Sequence, residues 1–268
     1  LGDIDFIQPP DGSLVGSYQP SRTLPGHPIS AFYGFVYDGI YRSEEEISKA
    51  PLDKIGGQIK PGDLRFKDLN ADGFIDESDR RVLGNPTPTF TYGMNLSAGY
   101  KNFDFSLLLQ GVTGNKIYNY LYQQGTIGDP RYNEGINRLA AVRDRWSVSN
   151  PNASMPRIAF RENDYAKNSR VSDFWLQDGA YMRIKNIQLG YTLPNRILKK
   201  LQVEKWRLYI SASNLLTITD YKGFDPEIGV NSTGYGDVFS ANRDLQLGID
   251  RGVYPQPRML LFGINVTF

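Results

Sequence analysis

Between Phe90 and Tyr100 the chain alternates without a break. Phe90, Tyr92, Met94, Leu96, Ala98 and Tyr100 fall on one face; Thr91, Gly93, Asn95, Ser97 and Gly99 fall on the other. Successive side chains of a strand point to opposite faces, so the pattern predicts one strand with an apolar side and a small, polar side. Lys101 and Asn102 fit a tight turn. The return strand sets Phe103, Phe105, Leu107 and Leu109 against Asp104, Ser106 and Gln110, with Leu108 the one exception. A soluble sandwich accommodates such a hairpin by burying the apolar face. A membrane barrel does too, with that face in lipid, the polar face toward a wet lumen and aromatics at the interface. A strand of 11 residues at about 3.3 Å per residue, tilted by about 45°, covers about 25 Å of height, which matches the apolar band of an outer-membrane barrel. The hairpin alone is compatible with both architectures.

Other stretches repeat the alternation less strictly. Residues 29–41 predict a strand with bulk on both faces, and residues 43–50 a short helix with Ser43 as N-cap and acids in its first turn. Residues 115–124 and 134–146 predict helical pieces inside a long connection. Residues 180–191 predict a strand in which Ile187, Leu189 and Tyr191 share a face. Met182 and Ile184 lie on the opposite parity, which predicts a bulge near Lys185. A basic connector, 194–204, leads to a strand around Trp206, Leu208, Ile210 and Ala212. The last strand places Leu260, Phe262, Ile264, Val266 and Phe268 on one face.

Connection lengths separate the two architectures. They are long before Phe90, short at Lys101-Asn102, long after Gly111, fairly short after Tyr191 and long after Asn214. Bacterial barrels keep short turns on one side of the membrane and long loops on the other. A sandwich has no reason to do so. Composition narrows the function. The 268 residues carry 30 Lys+Arg against 29 Asp+Glu, a net charge of +1 that gives no argument for a nucleic-acid partner. Cys is absent, which excludes disulfides, thiolate nucleophiles and Cys-based metal sites. The single His27 precedes Pro28 with no nucleophile motif nearby, so it reads as a loop histidine. No apolar run is long enough for a transmembrane helix, and a mean hydropathy of −0.42 does not exclude a barrel. Leu1-Gly2-Asp3-Ile4 has neither a basic start nor an apolar stretch, so no signal peptide is expected there.

One motif carries chemistry. Asp68, Asn70, Asp72, Gly73, Phe74, Ile75, Asp76 and Asp79 stand at the spacing of a twelve-residue calcium loop of EF-hand type. The ligands would be Asp68, Asn70, Asp72, the Phe74 carbonyl, Asp76 (directly or through a water) and Asp79, with Gly73 supplying the sharp turn. Asp79 stands where the longer Glu is usual, so affinity is expected to be modest, at roughly 10⁻⁴–10⁻³ M calcium. Calcium here has a structural role, because no general base accompanies it.

Several stretches together resemble the SusC/RagA family of TonB-dependent transporters. They are Phe35-Val-Tyr-Asp-Gly-Ile-Tyr41, Gly62-Asp-Leu-Arg-Phe-Lys-Asp68 running into the calcium-type loop, and Gly84-Asn-Pro-Thr-Pro88 before Phe90-Thr-Tyr-Gly93. Further on come Tyr181-Met-Arg-Ile-Lys-Asn186, Leu189-Gly-Tyr191, Ser213-Asn-Leu-Leu216 and Gly223-Phe-Asp-Pro-Glu227. The terminal strand ending in Phe268 resembles the assembly signal of outer-membrane barrels. The resemblance implies an all-β fold: the C-terminal segment, residues 1–268, of a transmembrane antiparallel barrel of about 22 strands with a plug and long extracellular loops. It implies import of glycan oligosaccharides or peptides across a Bacteroidetes outer membrane. The implied partners are a SusD-like lipoprotein, membrane lipid, the remaining barrel and plug, and TonB–ExbB–ExbD acting through N-terminal parts that this sequence does not contain. No enzymatic activity is implied.

The alternative is a secreted calcium-dependent glycan-binding β-sandwich, which explains the calcium loop but not the one-sided loop lengths. A hydrolase using two carboxylates such as Asp225 and Glu227 is the weaker alternative, since spacing in a loop does not define an active site. The sequence names no cargo and no cargo-binding residue. Trp146, Trp175, Tyr221 and Tyr235 are loop aromatics that read as packing residues at least as well as stacking platforms.

Overall fold

The computed structural model describes residues 20–55, 58–127, 137–158, 167–229 and 247–268. They fall into two compact units. One contains the long strands β1 (Phe90–Tyr100), β2 (Phe103–Thr113), β3 (Tyr181–Thr192), β4 (Lys205–Thr219) and β5 (Met259–Thr267). They form a single antiparallel sheet in chain order, a plain meander with β1 and β5 at its edges. The predicted hairpin is present in register, from Phe90 opposite Thr113 to Tyr100 opposite Phe103. Lys101 makes the turn with φ of 53°.

The bulge expected near Lys185 is also present. Ile184 faces Leu109 and Asn186 faces Leu108, leaving Lys185 without an opposite residue. Because side chains alternate, one inserted residue switches parity, and this places Met182 and Ile184 on the same face as Ile187, Leu189 and Tyr191. On β4 two residues, Asn214 and Leu215, are looped out at the same height, which preserves parity. Asn214 takes φ of 51° there. One apolar face therefore runs across all five strands, from Met94 and Leu96 through Leu107, Ile187, Leu189 and Ile210 to Phe262 and Ile264.

That face is not a core. Phe262 is 68% exposed and Leu260 77%. Leaving a large apolar side chain in water forfeits about 2 kcal/mol. Over Met94, Leu96, Ile210, Leu260, Phe262 and Ile264, all exposed, the loss reaches about 12 kcal/mol, comparable to the whole stability of a domain. Such a face needs an apolar surrounding. Among the described residues this unit holds no facing second sheet, so it is not a sandwich.

The other unit has an ordinary core, drawn from the stretch ending at Thr87, from Lys116–Gln177 and from Ile228–Val253. Phe32, Phe35, Ile40, Leu64, Phe66 and Ile75 come from the first stretch; Tyr118, Ile127, Met155, Val171 and Trp175 from the second; Ile249 from the third. Short ladders tie them together. Ser21–Arg22, Ala31–Phe35 and Arg80–Gly84 pair antiparallel. Tyr37–Ile40 pairs with Leu64–Phe66, Leu52–Asp53 runs parallel to Phe74–Ile75, and Lys116–Asn119 runs parallel to Ile249–Asp250. Arg170 is buried here, 2.7 and 2.9 Å from the two oxygens of Asp53, and stacks over Phe35 and Phe66.

The three stretches join the sheet at the same end of its strands. Phe90, Thr113, Tyr181, Thr219 and Met259 all lie toward that end of the register, while Lys101-Asn102 and the connection after Thr192 lie at the other. The one-sided arrangement of long connections is therefore present, and the long connections carry a shared core.

Several expectations are corrected. The strand predicted over 29–41 is two strands, Ala31–Phe35 and Tyr37–Ile40, because Phe35 and Tyr37 pair with different partners. The helix predicted over 115–124 is strand Lys116–Asn119 followed by helix Tyr120–Ile127, since Ile117 and Tyr118 enter the core. Of residues 134–146, Ala140–Asp144 form a 3-10 turn, and residues 134–136 lie outside the described residues. The helix after Ser43 spans Glu44–Lys49 with the expected cap, and the basic connector contains helix Asn195–Leu201.

Deleting Lys185 should abolish folding of the protein, because a one-residue slip turns the upstream half of β3 inside out. Lys185→Ala keeps the backbone bulge and should fold. Folded yield, read from heat-modifiable gel migration, checks this; equal yields for both variants would contradict it.

Candidate functional site

The polar face of the sheet carries two charged clusters. The first lies near the turn end. Arg207 on β4 donates from Nε to Asp104 on β2, 2.9 Å away, and Nη2 donates to the second oxygen. β3 runs between them, so the pair crosses over Gly190. A Cβ at Gly190 would stand 2.4 Å from Arg207 Nη2 and 2.5 Å from Asp104 Oδ1, so a larger residue there would push the pair out of this geometry. Gln188 on the same face accepts from Arg207 once its amide is oriented with oxygen toward the guanidinium.

The second cluster lies toward the other end. Arg183 on β3 donates to Asp225 at 2.6 Å, to Glu227 at 2.9 Å and to Thr217 Oγ1 at 2.8 Å. Lys185 donates to Glu227 at 2.8 Å, and Gln110 reaches both Glu227 and the Tyr181 hydroxyl. Asp225 also accepts the backbone N–H groups of Glu227 (2.9 Å) and Gln256 (3.0 Å). One buried carboxylate thus fastens the segment leaving β4 and the segment entering β5 to the same guanidinium. Burial pushes the Asp225 carboxyl up, but the Arg183 hydrogen bond and the amides of Gln256 and Glu227 pull harder, so its pKa lies below the ordinary range.

The two carboxylates that a hydrolase could use are instead committed to fastening: Asp225 to Arg183 and two backbone amides, Glu227 to Arg183, Lys185 and Gln110. The motifs around Arg183 and Asp225 are both visible in the sequence, but their meeting is not, because 42 residues separate the partners.

The calcium-type loop has a definite shape. Gly73 takes φ of 83°. Asp68 accepts the amides of Asp72 and Gly73, and Asn70 and Asp72 are hydrogen-bonded to each other. Asp72 accepts the amide of Phe74, and Asp76 that of Ser78. Asp79 is fully buried, and its two oxygens accept from Leu69 and Asp76, which fastens the loop's end to its beginning. The loop therefore closes through amides. Among the described residues, no three His, Cys, Asp or Glu side chains are gathered as a metal-binding group. Asn70 and Asp72 are exposed and Asp68 is half-buried, and each carboxylate oxygen has a second lone pair to offer.

The loop aromatics divide. Trp175 has no exposed surface, Tyr221 is buried, and Trp146 packs on the core, so these three are packing residues. Tyr235 lies outside the described residues. Phe224 and Tyr254, not singled out by the sequence pattern, are 65% and 85% exposed. His27 lies in an exposed bend.

No family model matches the chain. It is 35% identical over 267 residues to TonB-dependent receptor P3 of Formosa agariphila, covering all of this chain and 25% of that protein. It is 31% identical over 274 residues to TonB-dependent receptor P26 of the same organism. Over 248 residues it is 27% identical to TonB-dependent receptor SusC of Bacteroides thetaiotaomicron. The chain is a homologue of the TonB-dependent receptors, SusC among them. It spans about a quarter of the length of the relatives it matches. This receptor chain also shares its fold with the solved RagAB peptide transporter, at a TM-score of 0.65 and 20% identity over 94% of this chain and 24% of that one. The RagAB peptide importer in its open-open state matches with a TM-score of 0.60 and 22% identity, over 92% of this chain and 24% of that one.

In the full receptor, Asp225→Ala should lower stability at pH 7 by about 2 kcal/mol, because it removes one charged hydrogen bond and leaves the buried Arg183 guanidinium to Glu227 and Thr217 alone. Asp225 is shifted down on folding, so its contribution is present above the unfolded pKa of about 3.9 and is lost as pH falls through the folded value. The stability gap between wild type and variant, followed by thermal unfolding in detergent, should therefore close at low pH. A gap that stays constant would mean that packing, not charge, carries the effect.

Proposed function

We propose that this chain forms part of the wall of a plugged outer-membrane barrel of about 22 strands, its residues 1–268 being the C-terminal portion of the receptor. The receptor imports glycan oligosaccharides or peptides through a Gram-negative, Bacteroidetes-type outer membrane. It works with a SusD-like surface lipoprotein, and TonB–ExbB–ExbD energises it through the N-terminal part. The observation that carries the reading is the sheet with one face apolar and exposed at Met94, Leu96, Leu189, Ile210, Leu260, Phe262 and Ile264 and the other polar and charged, with all its long connections at one end. In lipid, strands span only as a closed barrel, since an open edge leaves backbone groups unpaired. Tyr100, Phe103 and Tyr191 gather at the turn end of the apolar face and Phe90 and Tyr92 at the other, which suits the two aromatic girdles of such a barrel. The relatives' names support a TonB-dependent receptor, and the RagAB structures are those of a peptide transporter.

The second part of the reading is a structural Ca²⁺ in the loop 68–79, held by Asp68, Asn70, Asp72, Asp76 and Asp79 with the Phe74 carbonyl. The support is the spacing, the left-handed Gly73 and the exposure of Asn70 and Asp72. The role of the ion would be to stiffen the outer loops.

The topology has β1, β3 and β5 running toward the periplasm. Cysteines placed singly at Val148 and Lys101 in whole cells test it with an impermeant label: Val148 should react and Lys101 should not. The reverse pattern would sink the topology. Asp72→Ala should remove calcium-dependent protection of residues 61–84 against protease and leave the folded barrel unchanged. Equal protection with calcium and with chelator in the wild type would refute the ion.

A further inference from the structure

The connection between β3 and β4 is basic well beyond the rest of the sheet. Helix Asn195–Leu201 presents Arg196, Lys199 and Lys200, all exposed. At 100° per residue these three occupy one face, and Leu198, on the opposite face, is buried. Lys205 opens β4 and is exposed, and Glu204 is the one acid in the connection. The neighbouring turn adds Lys101. The two turns are tied by hydrogen bonds from Thr192 N to Asn102 O (2.8 Å) and from Asn102 Nδ2 to Thr192 O (2.7 Å).

These cations stand at the same end as an aromatic group on the apolar face. Tyr100 is 70% exposed, and Phe103 packs on Tyr191 with ring centroids 4.7 Å apart. Trp206 follows Lys205 on that face, opposite Val266. Ile197 on the helix is itself exposed. Aromatic rings favour the headgroup level of a bilayer, and long cationic side chains next to them extend to the phosphates. Cations in the last turn of a helix also complement its dipole, but this accounts only for Lys199 and Lys200, not for Arg196, Lys205 or Lys101.

We propose that this basic turn is a binding site for the phosphate headgroup of an anionic phospholipid in the leaflet at the turn end of the sheet. The proposal rests on the reading of the apolar face as lipid-facing. Arg196, Lys199 and Lys200 hold the phosphate, Lys101 and Lys205 flank it, and Tyr100, Tyr191 and Trp206 set the depth of the acyl boundary. The lipid would fasten this edge of the receptor against tilting as the outer loops move.

Trp206 is the built-in reporter. The full receptor is placed in phosphatidylcholine vesicles containing either brominated phosphatidylglycerol or brominated phosphatidylcholine at equal mole fraction. The contribution of Trp206 is obtained by difference from Trp206→Phe. Brominated phosphatidylglycerol should have a relative affinity for the site about fivefold higher, the increment of about one cation facing a net-anionic rather than a zwitterionic headgroup. The Arg196→Gln/Lys199→Gln/Lys200→Gln variant should lose that preference. Equal quenching by the two lipids in the wild type, or an unchanged preference in the triple variant, would overturn the site. Quenching by neither lipid in folded receptor would instead overturn the lipid-facing reading of the sheet. Native mass spectrometry of unmodified receptor offered both lipids equally needs no variant: equal retention would also overturn the site. A helix-dipole role alone would change stability and leave the lipid preference untouched.

Discussion

The register of β3 against its two neighbours decides which side chains share a face, and the unpaired Lys185 is the point on which that register turns. With the bulge, Met182 and Ile184 join the apolar side and Arg183 faces the polar side. Without it, Arg183 would stand among Leu109, Ile187 and Leu216, and Met182 beside Asp225. The cost of a guanidinium on an apolar surface far exceeds that of one looped-out residue. The bulge is therefore a condition for both clusters on the polar face and for the continuity of the other face. Lys185 itself serves the arrangement by pairing with Glu227.

The two clusters use the same device at different heights. Each joins strands that are not neighbours, or segments that are not strands, through a carboxylate gripped by arginine. Arg207 reaches Asp104 over Gly190, so the meander is cross-linked two strands apart. Arg183 grips Asp225, which in turn grips the amide of Gln256, so the departure from β4 and the approach to β5 are fixed together. The buried Arg183–Asp225 pair adds less net stability than geometry, since desolvation offsets much of its attraction.

Sequence legibility followed contact range. The hairpin was legible because its alternation is strict and its partners lie within a few residues of the turn. The bulge was legible as a parity change at Lys185. The cap at Ser43 was legible because capping is local. The short strands of the other unit were not, because Phe32, Tyr118 and Ile249 meet from stretches far apart and follow no shared period. The strand predicted over 29–41 shows the same limit: bulk on both faces marks a segment buried from two sides, and alternation cannot say where it bends. At the loop 68–79 the spacing was legible, but the part Asp79 plays, accepting two amides from inside the fold, depends on burial that no spacing rule contains.

A core assembled from three separate stretches constrains how such a receptor diversifies. Exchanging one loop for a relative's would leave Phe35, Trp175 or Ile249 facing partners shaped for another sequence, and the graft would create voids or clashes that cost several kcal/mol. The three stretches therefore fit together as one module. Recombination that respects the sheet but divides the module should yield poorly folded chimeras, whereas transplanting all three stretches together carries an intact core onto a new sheet.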